Sequence, residues 1–367
     1  MLLAACSSVP PANREAAPAG RDMTEQGTTQ STAEGAGPAA EGNFGAVLRS
    51  RADLRPLVFP DIPAIQPLWR PLYSTGAGLS VFAGRTQKPR LEFWAVRVTL
   101  DPPEKSPRPR ILLGAGDKIG DNGEDGGDSK DGGLRFGFVS STRVSSFVRD
   151  NGLLAGINTV PFDPSSAREG EERRVDGLGI AGGRLIALPI PRYDALVFYR
   201  DGGAAIVNQG EFAESGNFAG GKADSFADGF ADRMGREVLH ATGGFHRILR
   251  DGELTIRALR PRGPRYARSA VGLSAGGQTL YLLVINGGRI GRRGATEAET
   301  ALILKQLGAQ DALNLDGGGS SALALRFPGG AADGAAGECV AVLNTPVHSG
   351  FPGRERAVAL CLGIGWY

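Results

Sequence analysis

The segment ALNLDGGGSSAL, residues 312 to 323, brings together residue types that could act on a polar substrate. In a strand that continues through this segment, Asn314 and Asp316 lie two residues apart, so their side chains leave by the same face. The next residues supply backbone that a ligand can approach closely, or hydroxyl groups: Gly317, Gly318, Gly319, Ser320 and Ser321. The pattern predicts a site that joins a carboxylate to backbone amides. The alternative is a turn aspartate that binds its own backbone.

Other catalytic patterns in the sequence are weak. The stretch GLSAG around Ser274 matches a nucleophile elbow, but a predicted strand follows where an elbow needs a helix, so we expect a hairpin. The three histidines, His240, His246 and His348, lie in unrelated contexts without triad or metal-ligand spacing. We therefore predict no cofactor. A divalent cation is compatible with the sequence, but nothing indicates one.

Composition limits the partners of the chain. The 367 residues include 41 basic and 39 acidic side chains, a net charge of +2, and no polybasic block, so nucleic acid is not a predicted partner. No run of about 18 apolar residues occurs, so no helix is predicted to span a membrane.

The N-terminus suggests export. Leu3-Ala4-Ala5-Cys6 resembles a bacterial lipobox, which predicts lipidation of Cys6 and a location in the cell envelope, in the periplasm or on the outer surface. That anchor is the only predicted contact with a membrane, and the alternative is an ordinary cytoplasmic N-terminus. Residues 1–43 are predicted to be a signal remnant and a disordered tether, because they contain almost no large apolar side chains.

Residues 44–367 are predicted to form a single domain. Residues 44–79 are rich in proline and aromatic residues and read as an arm that wraps the domain. Residues 116–133 are rich in glycine and aspartate; a calcium site is one interpretation, but the spacing of an EF-hand is absent and a flexible, solvated insertion is favoured.

The strongest predicted strand is LEFWAVRVTL, with four side chains facing inward: Leu91, Phe93, Ala95 and Val98. Residues 140–152 predict a short helix that is capped by a serine or threonine and ends at Gly152. Residues 294–310 predict the clearest helix, since Thr296 and Glu299 form a capping-box pattern. Several hairpin pairs complete an α+β fold, a largely antiparallel or mixed β-sheet with a few helices. Cys339 and Cys361 lie in two strand-like runs and could be bridged or be buried free thiols.

Longer motifs resemble the phosphodiester glycosidase family over about residues 80–367. The segment GATEAETALILKQLGAQDALNLDGGGSSAL resembles the signature of that family and is highly specific. Four other stretches resemble family motifs in the same order: VSSFVRDNGLLAGINTVPFD, RYARSAVGL, LYLLVINGGR and LNTPVHSGFPGRERAVALCLGI. The resemblance implies an α+β fold and a hydrolase that acts on a carbohydrate or phosphosugar.

The chain departs from the family pattern at three places. Asn158-Thr159-Val160-Pro161-Phe162 stands where the family has Asn-Gly-Gly-Phe. Ala267-Arg268-Ser269 replaces Pro-Arg-Thr, and Asn286-Gly287-Gly288-Arg289 replaces Asp-Gly-Arg. The first and third departures alter segments that we expect to line the substrate site.

The resemblance suggests a role for each site residue. Asp316 is the expected nucleophile or base, because carboxylates normally manage the charge of an oxocarbenium-like transition state. Arg268 and Arg289 are expected to bind phosphate oxygens, with the amides of the three glycines as an anion-binding nest. Asn158 and Asn314 are expected to bind sugar hydroxyls. Thr296 is a further candidate for binding the substrate, although the simpler role for it is the N-cap of the predicted helix.

The sequence does not identify the second catalytic acid, for which Asp163 and Asp176 are reserve carboxylates.

Two functions follow from the sequence. The first is an exported bacterial hydrolase that cleaves a sugar-1-phosphodiester, such as a GlcNAc-1-phosphodiester, or a related cell-envelope glycoside. The second is a catalytically degenerate surface lipoprotein that binds glycan or peptidoglycan.

Overall fold

The computed structural model describes residues 57–59, 62–65, 67–75, 78–100, 109–116, 136–213, 236–259, 263–288, 293–327 and 339–366. Cys6, Arg289, the tether 1–43 and most of the insertion 116–133 lie outside these residues, as does part of the arm 44–79.

Short strands make up about half of the described chain. In order they are β1 Leu57–Phe59, β2 Ile62–Ile65, β3 Leu68–Ser74, β4 Leu79–Thr86, β5 Leu91–Thr99, β6 Pro109–Gly114, β7 Phe138–Ser140, β8 Ala155–Asn158, β9 Phe162–Asp163, β10 Glu172–Val175, β11 Gly179–Ala181, β12 Arg184–Ala187, β13 Asp194–Tyr199, β14 Ala204–Asn208, β15 Val238–Gly243, β16 Arg247–Arg250, β17 Glu253–Leu254, β18 Arg268–Leu273, β19 Thr279–Ile285, β20 Asp311–Asn314, β21 Leu323–Phe327, β22 Cys339–Val342, β23 Val347–His348, β24 Phe351–Pro352 and β25 Cys361–Trp366. The α-helices among the described residues are α1 Val144–Asp150, α2 Gln209–Ala213 and α3 Glu297–Leu307.

Three larger sheets organise these strands. The first has eight strands in the order β17-β16-β20-β18-β19-β5-β4-β3. The second has the order β22-β21-β8-β25-β6, and the third has the order β12-β11-β15-β13-β14. Neighbouring strands in all three are antiparallel, so the predicted α+β fold with a largely antiparallel sheet is confirmed.

The eight-stranded sheet is buried on both faces. One face packs on α3, and the other packs on apolar residues of the second and third sheets. In β5, Leu91, Phe93 and Ala95 face α3, whereas Val98 is equally buried on the opposite face. All four predicted core residues are therefore buried, but they divide between two cores because successive side chains of a strand alternate.

The helices follow the predicted patterns with one correction. In α3, the side chain of Thr296 accepts from the Glu299 N–H while the Glu299 carboxylate accepts from the Thr296 N–H, which is the predicted capping box. In α1, the N-cap is Arg143, and its side chain makes no capping hydrogen bond. The carboxylate of Glu355 accepts from the Ser145 N–H at 3.1 Å instead, so the predicted serine or threonine cap is replaced by an acid distant in sequence.

Two smaller questions from the sequence are also answered. Ser274 lies in the tight connection between β18 and β19, so the GLSAG match is a hairpin. Cys361 is a free and buried thiol, so it is not bridged to Cys339.

Among the described residues, no helix has the length and apolar character needed to cross a membrane.

Close backbone approach beside β18 requires glycine at position 294. Gly294 has a φ of 95°, and an added Cβ would lie 2.0 Å from the carbonyl oxygen of Tyr266. Gly137 has a similar φ of 83°, with nothing within 4 Å of the added Cβ. Alanine substitutions at Gly294 and Gly137 therefore distinguish two losses of stability. Both positions add the strain of a left-handed backbone, and only Gly294 adds a clash with neighbouring backbone.

We expect Gly294→Ala to lower the free energy of unfolding by more than about 3 kcal/mol, because backbone strain and the clash add. Gly137→Ala should lower it by only about 1 to 2 kcal/mol, the strain alone. Urea unfolding of both variants measures the difference, and equal losses would contradict the packing described here.

Candidate active site

The segment after β20 carries Asp316 to the rim of a cavity of about 380 Å³. Main-chain hydrogen bonds fix this segment on both sides: the Leu315 N–H donates to the Ser269 carbonyl at 3.0 Å, and the Asp316 N–H donates to the Thr159 carbonyl at 2.8 Å. Asn314 and Asp316 both line the cavity, as their two-residue spacing requires. The strand end therefore places an amide and a carboxyl group on one concave surface.

The carboxyl group of Asp316 is partly buried and electrostatically unusual. Loss of contact with water raises its pKa from the ordinary 3.8 to about 6. Three groups oppose this shift by favouring the charged form: a hydrogen bond from Ser320, the positive charge of Arg356 and the Gly317 N–H. An acid with a pKa near 6 can exchange protons close to neutral pH, which suits a general acid or base.

Arg356 belongs to a chain of contacts that reaches Asp316. Its Nη1 donates to the Ser320 hydroxyl at 3.1 Å, and its Nε donates to Nδ1 of His348 at 3.1 Å. Nδ1 must be unprotonated to accept this bond. Burial and the charges of Arg356 and Arg354 lower the pKa of His348, which is consistent with a neutral ring.

The glycine loop does not form the predicted nest of three free amides. The Gly317 N–H binds the Asp316 carboxylate, and the Gly318 N–H donates to the Ala267 carbonyl at 2.8 Å. Gly317 is needed for close packing, because an added Cβ would lie 2.8 Å from the Ala267 carbonyl oxygen. The loop positions Asp316 more than it offers donors to an anion. Ser321 is fully buried, so its hydroxyl also faces no ligand.

Asn158 occupies a different position from the one predicted. It is 1% exposed, and its amide is hydrogen-bonded to three residues distant from it in sequence. Nδ2 donates to the Asp316 carbonyl at 2.7 Å, and Oδ1 accepts from the Ser269 hydroxyl at 2.7 Å and from the Ala322 N–H at 3.2 Å. These contacts leave no room for a sugar hydroxyl, so Asn158 positions the loop that carries Asp316.

Arg268 lines the cavity but is largely committed to the protein. It is 6% exposed, and its Nε and Nη2 donate to the carbonyls of Ala295 at 3.0 Å and Pro264 at 2.9 Å. Its Nη1 lies 3.5 Å from Oδ1 of Asn314 and 3.8 Å from a carboxylate oxygen of Glu297. Because Nε and Nη2 are engaged by main-chain carbonyls and Nη1 faces Asn314 and Glu297, Arg268 is poorly suited to the predicted bidentate phosphate contact.

Glu297 is a cavity residue that the sequence patterns did not predict. It lies in the first turn of α3 and lines the same cavity as Asp316. The reserve acids lie elsewhere: Asp163 is on β9, and Asp176 pairs with Arg174 at 2.8 Å. The signal that could have found Glu297 is its place in the family-like segment, one residue after the N-cap Thr296. Thr296 itself serves as that N-cap.

The remaining cavity wall is aromatic and basic. It includes Phe245, His246, Arg257, Pro264 and Tyr266. Tyr193 packs behind this wall, with ring centroids 5.4 Å from both Phe245 and His246. No group of three potential metal ligands occurs among the described residues.

The departures from the family pattern leave the Asp316 cavity open. Thr159 and Val160 are each 1% exposed, so their larger side chains point into the core. Asn286 is 3% exposed and is held by its own contacts: Oδ1 accepts from the Thr345 N–H at 2.9 Å. Ser269 retains a hydroxyl, which binds Asn158.

Comparison with known proteins identifies one matching family model. It is phosphodiester glycosidase, and the match covers residues 151–365. No curated protein matches the chain significantly.

Two solved structures are among those similar to this chain. The catalytic domain of zebrafish N-acetylglucosamine-1-phosphodiester alpha-N-acetylglucosaminidase, auto-inhibited by its pro-peptide, has 17% identity and a TM-score of 0.48, covering 82% of this chain and 88% of that chain. A hypothetical protein from Synechocystis has 14% identity and a TM-score of 0.49, covering 84% of this chain and 64% of that one.

We expect Asn158→Ala to lower the free energy of unfolding by about 3 kcal/mol or more, because three buried polar groups lose their partner. Asn151→Ala is the matched control, since that amide makes one hydrogen bond, to the Phe147 carbonyl at 2.9 Å, at the end of α1. The control should lose about 1 kcal/mol or less. Urea unfolding compares them, and a similar small loss in both would show that Asn158 does not hold the loop.

We expect Asp316→Asn to stabilise the protein at pH 8 and not at pH 4. The folded-state pKa of about 6 exceeds the ordinary 3.8, so the folded state holds the proton more tightly and stability falls as pH rises through 6. Removing the charge should recover up to about 3 kcal/mol at pH 8. Asp201→Asn is the control, because the bond to Arg236 lowers the pKa of Asp201 and its loss brings no gain. Thermal unfolding at both pH values measures this; a gain at pH 4 as large as at pH 8 would contradict it.

Proposed function

The chain belongs to the phosphodiester glycosidase family, and on that premise we propose that it hydrolyses a sugar-1-phosphodiester of the GlcNAc-1-phosphodiester kind, or a related cell-envelope glycoside. The observation that carries this proposal is the carboxyl group of Asp316, which lines a cavity and has a pKa raised to about 6. Such perturbed acids in concave sites are frequent at catalytic centres.

The proposed reaction breaks the bond between the anomeric carbon and a phosphate oxygen. Water supplies the hydroxyl group of the released sugar, and the phosphate oxygen keeps the bonding electrons and leaves as a phosphomonoester. The transition state resembles an oxocarbenium ion, which a nearby carboxylate stabilises. A phosphate is already a good leaving group, so this reaction needs less help from a general acid than hydrolysis of an ordinary glycoside.

Asp316 and Glu297 are the proposed pair of carboxyl groups. Asp316 acts in its ionised form, as the nucleophile or as the base that activates water. Glu297 is the second acid, because it is the other carboxylate on the wall of the same cavity among the described residues. Asn314 is the proposed partner of a sugar hydroxyl, since it lines the cavity beside Asp316 and is oriented by Arg268.

The binding-protein alternative has less support. It was suggested by the bulkier residues at Thr159 and Val160, but these side chains are buried away from the cavity. An acid whose pKa is raised by burial is also more frequent at a catalytic centre when it lines a cavity, as Asp316 does. The hydrolase is therefore the function that the cavity favours.

Export to the bacterial cell envelope remains part of the proposal and rests on the sequence alone. The lipobox-like Leu3-Ala4-Ala5-Cys6 and the apolar-poor segment behind it support a lipid anchor at Cys6. A sugar phosphodiester of the envelope would then be met in the same compartment.

We expect the wild-type chain to hydrolyse UDP-GlcNAc or an aryl-linked GlcNAc phosphodiester, and Asp316→Asn to lower kcat/KM by at least about a thousandfold. The wild-type kcat/KM should fall below pH 6, because Asp316 then takes up a proton. Glu297→Gln should cost about ten- to a hundredfold.

Asp150→Asn is the control, because this acid is exposed on α1 and pairs with Arg149 at 2.8 Å. It should leave kcat/KM unchanged. Turnover that survives Asp316→Asn would exclude the mechanism. Absence of turnover in the wild type, with thermal stabilisation by the same ligands, would favour the binding protein.

A further inference from the structure

A second cavity, of about 720 Å³, adjoins the one that contains Asp316. The two share Tyr266 and Gly318 in their walls, so they meet at this pair of residues. Tyr266 is 53% exposed and stands between them. Each is large enough for a ligand group of moderate size.

The charges of the two cavities differ. In the Asp316 cavity, the acids Asp316 and Glu297 are balanced by Arg257 and Arg268. In the second cavity, the charged residues that line it among the described residues are Arg265 and Arg293, both basic, and the other described lining residues are uncharged. An anionic group therefore meets less repulsion in the second cavity than beside Asp316.

The two arginines of the second cavity are not equivalent. Arg265 is paired with the buried carboxylate of Glu299, to which its Nη1 donates at 2.9 Å. Arg293 is exposed and makes no ion pair with any residue in the described ranges. Its guanidinium is thus the one in this cavity whose charge and donors remain available for a phosphate.

The second cavity, at about 720 Å³, has room for more than a phosphate. Gly288 has a φ of 73°, and Val347 faces it at 3.6 Å from the position of an added Cβ. The volume of the cavity, lined here by glycine backbone and the side chain of Val347, accepts a bulky group beside the anion.

We propose that the second cavity binds the phosphate and the aglycone attached to it, while the sugar occupies the cavity of Asp316. This assignment rests on the proposed function and fixes the orientation of the substrate across the two cavities. The bond to be broken then lies at Tyr266 and Gly318, where the cavities meet. Arg293 binds the phosphate and receives the charge that the leaving oxygen gains when the bond to the anomeric carbon breaks.

The same assignment identifies the class of substrate. A diester with a bulky organic group on the far side of the phosphate fills both cavities, whereas an uncharged glycoside leaves Arg293 without a partner. The preferred substrate is therefore a phosphodiester with a sizeable aglycone, such as a nucleotide-like group, and the second product is the phosphomonoester of that group.

Binding to the full chain with Asp316→Asn tests this, because turnover is removed by the background change. The probes are uridine monophosphate, inorganic phosphate and free GlcNAc, measured by titration calorimetry. We expect an added Arg293→Ala to weaken binding of uridine monophosphate and of phosphate by about ten- to a hundredfold, and to leave GlcNAc binding unchanged. Arg184→Ala, an exposed arginine on β12, should change none of the three.

A second variant tests the aglycone. Val347→Trp narrows the second cavity, so it should weaken uridine monophosphate at least tenfold while phosphate binds as before. Equal losses for Arg293→Ala and Arg184→Ala, a parallel loss of GlcNAc, or no binding of uridine monophosphate at all would overturn the assignment. These readouts are independent of hydrolysis, so a protein that binds as expected but does not turn over would refute the proposed function alone.

Discussion

The buried amide of Asn158 is the contact on which the candidate site depends. It lies at the end of β8 in the second sheet and reaches Ser269 on β18 of the eight-stranded sheet, together with the two ends of the loop that follows β20. One side chain thus ties two sheets to the segment that carries Asp316. A neutral amide can both donate and accept hydrogen bonds at this junction, whereas an ionised carboxylate only accepts and an ammonium group only donates.

The electrostatics of Asp316 follow from that placement. Tying the loop between sheets withdraws the carboxyl group from water, and this raises its pKa. The Ser320 hydroxyl and the charge of Arg356 limit the rise, and neutral His348 holds Arg356 in place by accepting from its Nε. The site therefore accepts a loss of folding stability above pH 6 in exchange for an acid that titrates near neutrality.

The arginines around the site divide into two groups. Arg265 and Arg268 have their guanidinium groups engaged by carbonyls or carboxylates of the protein, and they fix α3 and the end of β18. Arg257 and Arg293 are exposed at the two cavities. Since all four residues have the same chemistry in the sequence, only their contacts distinguish those that build the site from those free to meet a substrate.

The sequence by itself determined the local features. The two-residue spacing of Asn314 and Asp316, the capping box of α3, the hairpin at Ser274 and the buried residues of β5 depend on neighbours within a few positions, so periodicity and turn chemistry predict them. The antiparallel α+β class follows from the same patterns. Helix α1 shows where local patterns fail to predict a contact. Its first turn is capped by Glu355, which lies more than two hundred residues away.

The tertiary structure alone decided which residues meet. Asn158 and Asp316 are separated by 158 positions, and whether Asn158 binds sugar or backbone depends on how two sheets pack. Glu297 lines the cavity because α3 packs beside β18. Arg356, which follows β24, reaches the loop of Asp316 by donating to the Ser320 hydroxyl. Burial sets the pKa of Asp316 and commits Arg268 to the protein, and burial is a property of packing that no short stretch of sequence contains.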